Sequence, residues 1–282
     1  MRNYRKPYKA RRKRSIFKNR FFWLAILILI VFSGGFYLIC FHSFFQIKNI
    51  EISGNEKVSS ENLENLLNEK ISQKFFFLPS QSIFLVNFAG IKKEILKSFP
   101  QVSETGLKRK LPHTLLLQIR ERKAIAVFCQ ADKMFFIDEN GIIFESLDLN
   151  TANQHFIRLK RDVKEEVDLG KKIVEKEQLT KILEVESRLR NQLKILTEEG
   201  ESSSSSLADT LAIEEILVVS DVRFDIKTSE GFKIYFNFNE DLDWQLTKLI
   251  ALLEKEIPPE RRKDLEYIDV RFGKFALPVY RN

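Results

Sequence analysis

Residues that carry chemistry are scarce in this chain. Its 282 positions hold only two cysteines, three histidines and ten glycines. Cys40 and Cys129 supply no disulfide framework. His42, His113 and His155 lack metal-ligand spacing and have no ordered cysteine partner. There is no Gly-x-Ser-x-Gly, no His-Glu-x-x-His and no glycine-rich loop of the phosphate-cradling kind. The adjacent carboxylates Glu165-Glu166, Glu198-Glu199 and Glu214-Glu215 read as solvated faces, because a catalytic pair needs burial and convergence. The expectation is a chain with no catalytic residues, no cofactor and no metal.

Acidic residues are absent from positions 1–20, which carry ten Lys/Arg. Taking these ten from the formal charge of +7 leaves −3 for residues 21–282. The basic character therefore belongs to a tail, and the body is mildly acidic. A basic tail without a fold is not a nucleic-acid reader, so no nucleic-acid partner is expected. Such a tail is expected to be disordered and to lie against an anionic leaflet, each Lys/Arg contributing about 1 kcal/mol.

Charge is also absent from Phe21–Phe41, FFWLAILILIVFSGGFYLICF. As a helix this run would be roughly 31 Å long, the thickness of a hydrocarbon core. It has no polar face, unlike a soluble helix of that length. Trp23 and Tyr37 lie near its ends, where amphipathic rings favour the interface. A cleaved signal peptide has a shorter apolar region and a small-residue cleavage site, whereas His42-Ser43-Phe44-Phe45 come next here. A lipoprotein signal at Cys40 lacks small residues in Tyr37-Leu38-Ile39. The reading is an uncleaved membrane helix over 21–41, with residues 1–20 cytoplasmic and 42–282 outside by the positive-inside rule.

Beyond the helix, the chain reads as an α+β region in two units. Phe45–Ser53 alternates as a strand with Ile47, Ile50 and Ile52 toward a core, and Gly54-Asn55 turns it. Ser59 or Ser60 caps a helix with Leu63, Leu66, Leu67 and Ile71 on one side. Gln73–Phe84 reads as a loop with an apolar patch, Phe75-Phe76-Phe77-Leu78. A second helix from about Asn87 presents Ile91, Ile95, Leu96 and Phe99 and stops at Pro100. A strand Val102–Lys110, a turn Leu111-Pro112-His113 and one long strand Thr114–Phe128 complete the order β-α-α-β-β.

In the second unit, Phe135–Phe144 reads as strand, Asn140-Gly141 turn, strand. Glu175–Leu196 reads as a helix buried along Leu179, Ile182, Leu183, Leu189 and Leu193. Residues 197–210, with five consecutive serines, read as a flexible insertion. Ile216–Ser220, then Val222–Thr228 and Phe232–Phe238, read as strands. Asp241–Ile257 is an amphipathic helix ended by Pro258-Pro259. Leu265–Phe272 reads as the last strand, with Tyr267, Asp269 and Arg271 alternating against Ile268, Val270 and Phe272.

Ile50-Glu51-Ile52-Ser53-Gly54-Asn55, Phe99-Pro100-Gln101-Val102, Lys108-Arg109-Lys110-Leu111-Pro112-His113-Thr114-Leu115 and Glu121-Arg122-Lys123-Ala124-Ile125-Ala126 are similar to successive motifs of the FtsQ/DivIB family. Ala124 stands where that family usually has proline. Asp138–Gly141 and the terminal Tyr267-Ile268-Asp269-Val270-Arg271-Phe272 resemble its later motifs. The resemblance covers nearly everything after the basic tail at 1–20 except the serine-rich insertion, and beyond the membrane helix at 21–41 it implies a POTRA domain at 44–128 and a β domain with packed helices at 129–282. It implies a non-catalytic, single-pass scaffold of the bacterial division septum. Its implied partners are FtsB/DivIC-like and FtsL-like division proteins and the lipid bilayer, with no small-molecule substrate. The implied contact is strand addition at the C-terminal strand, at Tyr267, Arg271, Phe272, Lys274, Phe275 and Tyr280. Two alternatives stand beside it: a POTRA-type anchored chaperone or transport component holding client polypeptides, and an anchored enzyme.

Overall fold

The computed structural model describes residues 20–75, 78–147, 156–161, 166–198 and 212–281. Residues 1–19 of the basic tail, most of the serine-rich insertion and Phe76-Phe77 of the apolar patch lie outside the described residues. The chain forms two compact units: residues up to 95 with 105–119, and residues 96–104 with those from 120 on.

The first unit opens with helix α1, Arg20–Phe41, long and apolar enough to cross a membrane, with a mean hydropathy of 2.6. Only Cys40 of this helix is buried. After a turn of 3-10 helix at Ser43–Phe45 come β1 (Asn49–Ser53) and α2 (Ser60–Ile71). Next are a small hairpin, β2 (Gln73–Phe75) and β3 (Leu78–Ser80), and then α3 (Phe88–Ser98). β4 (Val102–Lys110) and β5 (Thr114–Glu121) complete the unit's strands. The sheet order is β1-β5-β4, with β1 parallel to β5 from Asn49 opposite Thr114 to Ser53 opposite Gln118. Leu63, Leu67, Ile71, Ile91, Ile95, Leu115 and Leu117 are buried. This is the expected β-α-α-β-β order.

Several expectations change in detail. Gln73–Phe84, expected to be a loop, contains the β2–β3 hairpin. Ile47, Ile50 and Ile52 are only half-buried, because β1 is an edge strand and the central β5 supplies the deeper core. Leu96 is exposed: five residues after Ile91, it turns roughly 140° from the buried stripe at 100° per residue. The long strand Thr114–Phe128 is two strands. β5 ends at Glu121, and β6 (Ala126–Gln130) starts a different sheet. Between them the backbone changes partner, Arg122 donating its N–H to the Gln101 carbonyl and Ile125 to Ile137.

The second unit is built on a nine-stranded sheet ordered β14-β13-β12-β11-β10-β9-β6-β7-β8. After β6 come β7 (Lys133–Ile137), β8 (Ile143–Leu147), β9 (Ile157–Arg161) and helix α4 (Lys176–Glu198). β10 (Ile213–Val218), β11 (Arg223–Thr228) and β12 (Lys233–Asn237) form the middle. Helix α5 (Leu242–Lys255) begins at Asp241, whose carboxylate accepts the Trp244 N–H and caps it. A single turn, α6 (Pro259–Arg262), leads to β13 (Leu265–Asp269) and β14 (Leu277–Tyr280). The sequence pattern gives no sign of β9, α6 or β14. Phe224, Ile226, Ile234, Phe236, Ile268 and Val270 share one core with Leu179, Ile182, Leu246, Leu249 and Leu253 of α4 and α5. The opposite alternation sends Arg223, Asp225, Tyr235, Tyr267 and Asp269 to the other sheet face.

The Asn140-Gly141 turn is as expected. Gly141 has φ +75°, and a Cβ there would stand 1.9 Å from the Val174 carbonyl oxygen. Both the handedness and the lack of space require glycine. Gly141→Ala is expected to lose more than about 1 kcal/mol in urea unfolding. A loss within measurement error would show that the segment at 174 is free to withdraw.

Candidate functional site

The edge of the large sheet is β14, not β13 as expected from the sequence. Leu265–Phe272 contains an interior strand, flanked by β12 in parallel and β14 in antiparallel pairing. The reversal between β13 and β14 passes through Gly273, at φ +69°. It is held by Lys248 of α5. Its ammonium donates to the carbonyls of Val270 at 2.7 Å, Phe272 at 3.2 Å and Gly273 at 3.3 Å. Burial lowers the Lys248 pKa, opposed by the Asp269 charge. A buried lysine thus ties the helix to the turn that presents the edge.

Hydrogen-bond parity identifies what the edge offers. Val270 donates to the Tyr235 carbonyl, so alternate β13 residues, Tyr267 and Asp269, turn toward β14. Val279 and Leu277 oppose these two. Arg281 donates to the Asp264 carbonyl, the same parity on the β14 side. The outward backbone positions of β14 are therefore Pro278 and Tyr280. Pro278 has a carbonyl there but no N–H, so Tyr280 supplies the outward donor.

Around this edge lies apolar surface. Phe272 is 64% exposed, Phe275 83% and Leu277 62%. A cavity of about 370 Å³ opens beside them, lined by Trp244, Lys248 and Leu252 of α5 with Lys274, Phe275 and Ala276. Trp244 is itself exposed. A flank of bulky rings beside an edge that pairs with no further strand among the described residues suits a strand carrying apolar side chains.

The six residues named from sequence fall into three places. Phe272, Lys274 and Phe275 lie on the turn at the edge. Tyr280 sits in β14 with its ring packed on the core, and the Arg261 guanidinium lies 5.4 Å from its centroid. Tyr267 and Arg271 belong to the sheet face. Tyr267 stacks on Tyr235 at 4.6 Å. Arg271 binds Asp269 through two nitrogens at 3.0 and 2.6 Å, and the Arg223–Asp225 pair repeats this arrangement at 2.7 and 2.8 Å. Arg223 lies 3.9 Å over the Tyr235 ring. Burial pushes the Asp269 carboxyl up, but the bonds from Arg271 outweigh it and hold the pKa below its ordinary value. Arg271 also covers the Phe272 ring at 5.0 Å, which links the face to the edge.

Trp244, Lys248 and Leu277 are parts of this site that sequence reasoning missed. Trp244 left a signal, a large ring on the polar side of an amphipathic helix. Lys248 left none, since a lysine inside a helix reads as a solvated residue.

Among the described residues no group of three or more His, Cys, Asp or Glu is placed to hold a metal ion. Burial raises the Cys129 pKa, away from the reactive thiolate.

Two family models match this chain. The POTRA domain, FtsQ-type, matches residues 45–122, and the C-terminal region of the cell division protein FtsQ/DivIB matches residues 126–271. The second match stops before β14. The cell division protein DivIB of Clostridium tetani is 27% identical over 237 residues, 83% of this chain and 79% of that protein. DivIB of Clostridium botulinum strain Hall is 20% identical over 81% of this chain and 79% of its own length. FtsQ of Novosphingobium aromaticivorans is 27% identical over 53% of this chain and 41% of its own length. Together, the two matched regions and the fold that carries them make this chain a member of the FtsQ/DivIB family of cell division proteins.

Proposed function

We propose that this protein is a non-catalytic scaffold of the bacterial division complex. It is held by α1 in the cytoplasmic membrane at the septum, with residues 1–20 in the cytoplasm and the two folded units outside. Its C-terminal edge takes a strand from an FtsB/DivIC-like protein that arrives with an FtsL-like protein. The observation carrying this reading is the open β14 edge, with Tyr280 as outward donor and Phe272, Phe275 and Leu277 exposed beside it. Backbone pairing supplies affinity, and the apolar flank supplies choice of partner. The orientation rests on the charge asymmetry: ten Lys/Arg at 1–20 against no basic residue in the last turn of α1.

Two measurements test it. Protease added outside intact spheroplasts is expected to digest residues beyond 42 and spare the tail; protection of both units reverses the topology. Co-expression of the full chain with the FtsB-like and FtsL-like proteins of the same bacterium is expected to yield a complex that copurifies. Copurification with diverse unfolded clients instead would favour the chaperone reading.

A further inference from the structure

The end of the membrane helix is closed by residues far away in sequence. The last carbonyls of a helix lack intrahelical partners, and lipid offers none. In α1 the Ile39 carbonyl accepts from the Ser82 hydroxyl at 2.8 Å. The Cys40 carbonyl accepts from the Ser80 hydroxyl at 2.6 Å and from the Gln46 side-chain amide at 3.2 Å. Ser80 and Ser82 are both buried. The segment from β3 to Ile83 is tied in turn to the helix exit, Ile47 donating to the Gln81 carbonyl and Ile83 to the Phe45 carbonyl. The helix does not run into a free linker. It ends inside the first folded unit.

Beside this junction stand three rings. Phe44 and Phe45 meet edge to face at 5.1 Å, and Phe45 and Phe84 at 5.4 Å. Phe44 is 54% exposed and Phe84 41%, a cost in water that neighbouring core packing does not remove. Phe44 lies three residues past the end of α1, so this apolar surface continues the lipid-facing surface of the helix. The loop carrying Phe84 is braced by Arg109, which donates to the carbonyls of Ile83 at 2.6 Å and Val86 at 3.4 Å. The same guanidinium lies 4.2 Å from the Phe88 ring centroid, leaving a cation next to the exposed rings. Apolar rings with an adjacent arginine match the boundary between acyl chains and phosphate headgroups.

We infer that the first folded unit is itself a lipid-binding element: Phe44, Phe45 and Phe84 seat in the bilayer interface, with the side-chain cap at Ser80 and Ser82 fixing the unit to the end of α1. This rests on α1 spanning the bilayer. The occupant of the apolar surface is lipid, because that surface is continuous with the one the helix already gives to lipid.

The test uses the full chain in phosphatidylcholine–phosphatidylglycerol vesicles with acyl chains brominated near the headgroup. One variant, Trp244→Phe, keeps Trp23 as the reporter of the span. A second, Trp23→Phe with Trp244→Phe and Phe84→Trp, reports the seat. Bromolipid is expected to quench most of the emission of both. Quenching of Trp23 with none of the tryptophan placed at 84 overturns the seat and leaves the span standing. Absence of quenching in both overturns the span, and the seat with it. The double variant Ser80→Ala with Ser82→Ala, made on the second background, is expected to reduce quenching at 84. Unchanged quenching would show that the cap does not fix the unit.

Discussion

Phe275→Asp combined with Leu277→Asp is expected to abolish capture of the FtsB-like partner while leaving thermal unfolding unchanged. Both side chains are more than three-fifths exposed, so aspartate costs the free protein little. In a complex each charge would be buried against an apolar strand without a partner. Buried anchors of this kind contribute about 2 kcal/mol or more each, roughly 30-fold in affinity per residue. Tyr267→Phe serves as the contrast. Its ring stacks on Tyr235 inside the sheet face, so the stack persists and capture should stay near that of the parent. Titration of the purified chain with the partner's soluble segment measures both. Capture surviving the double aspartate variant would move the docking surface away from β14.

The largest stability loss is expected at Asp138. Its carboxylate accepts the backbone N–H of Asn140 at 3.0 Å and of Ile142 at 2.9 Å, which shapes the turn before β8. Its other oxygen pairs with Arg122, whose Nε donates to the Pro100 carbonyl at 2.9 Å. Both side chains are largely buried. Breaking such a pair from one side leaves a charge without compensation and costs about 3–5 kcal/mol. Asp138→Ala is expected to show that loss in urea unfolding. Arg122→Met with Asp138→Leu should cost less than the single change, because neither charge is stranded. A loss below about 1 kcal/mol for Asp138→Ala would mean that Arg122 finds another partner at no cost.

This pair also illustrates how much the sequence makes legible. The Glu121-Arg122 stretch and the Asp138–Gly141 turn are each readable as motifs. Their union is not, because linear spacing carries no information about which side chains converge. Helices with strong periodicity come through well: α2, α4 and α5 lie within a few residues of their expected limits. Strand partners do not. Thr114–Phe128 is one unbroken pattern in sequence, yet its halves join different sheets because the hydrogen-bond partners change at Arg122. β14 is hidden because Pro278 and nearby Gly273 read as breakers, whereas an edge strand tolerates a proline whose nitrogen faces outward. For the candidate edge, position alone places Phe272, Lys274 and Phe275 beside it. Tyr267 and Arg271 are drawn to the edge only when β13 is treated as the terminal strand.

Pro278 has a further effect wherever copies of the chain meet at high local density. Open sheet margins invite like to stack upon like, and a chain of such contacts grows into fibres. Two identical margins brought together in opposite directions would each meet a ring nitrogen where a hydrogen donor is needed, so the seam would stay incomplete from both sides. A different sequence, free to set its own carbonyls away from that gap, has no such handicap. For a strand added at this margin, as proposed, one imino acid tilts the choice from self toward a stranger.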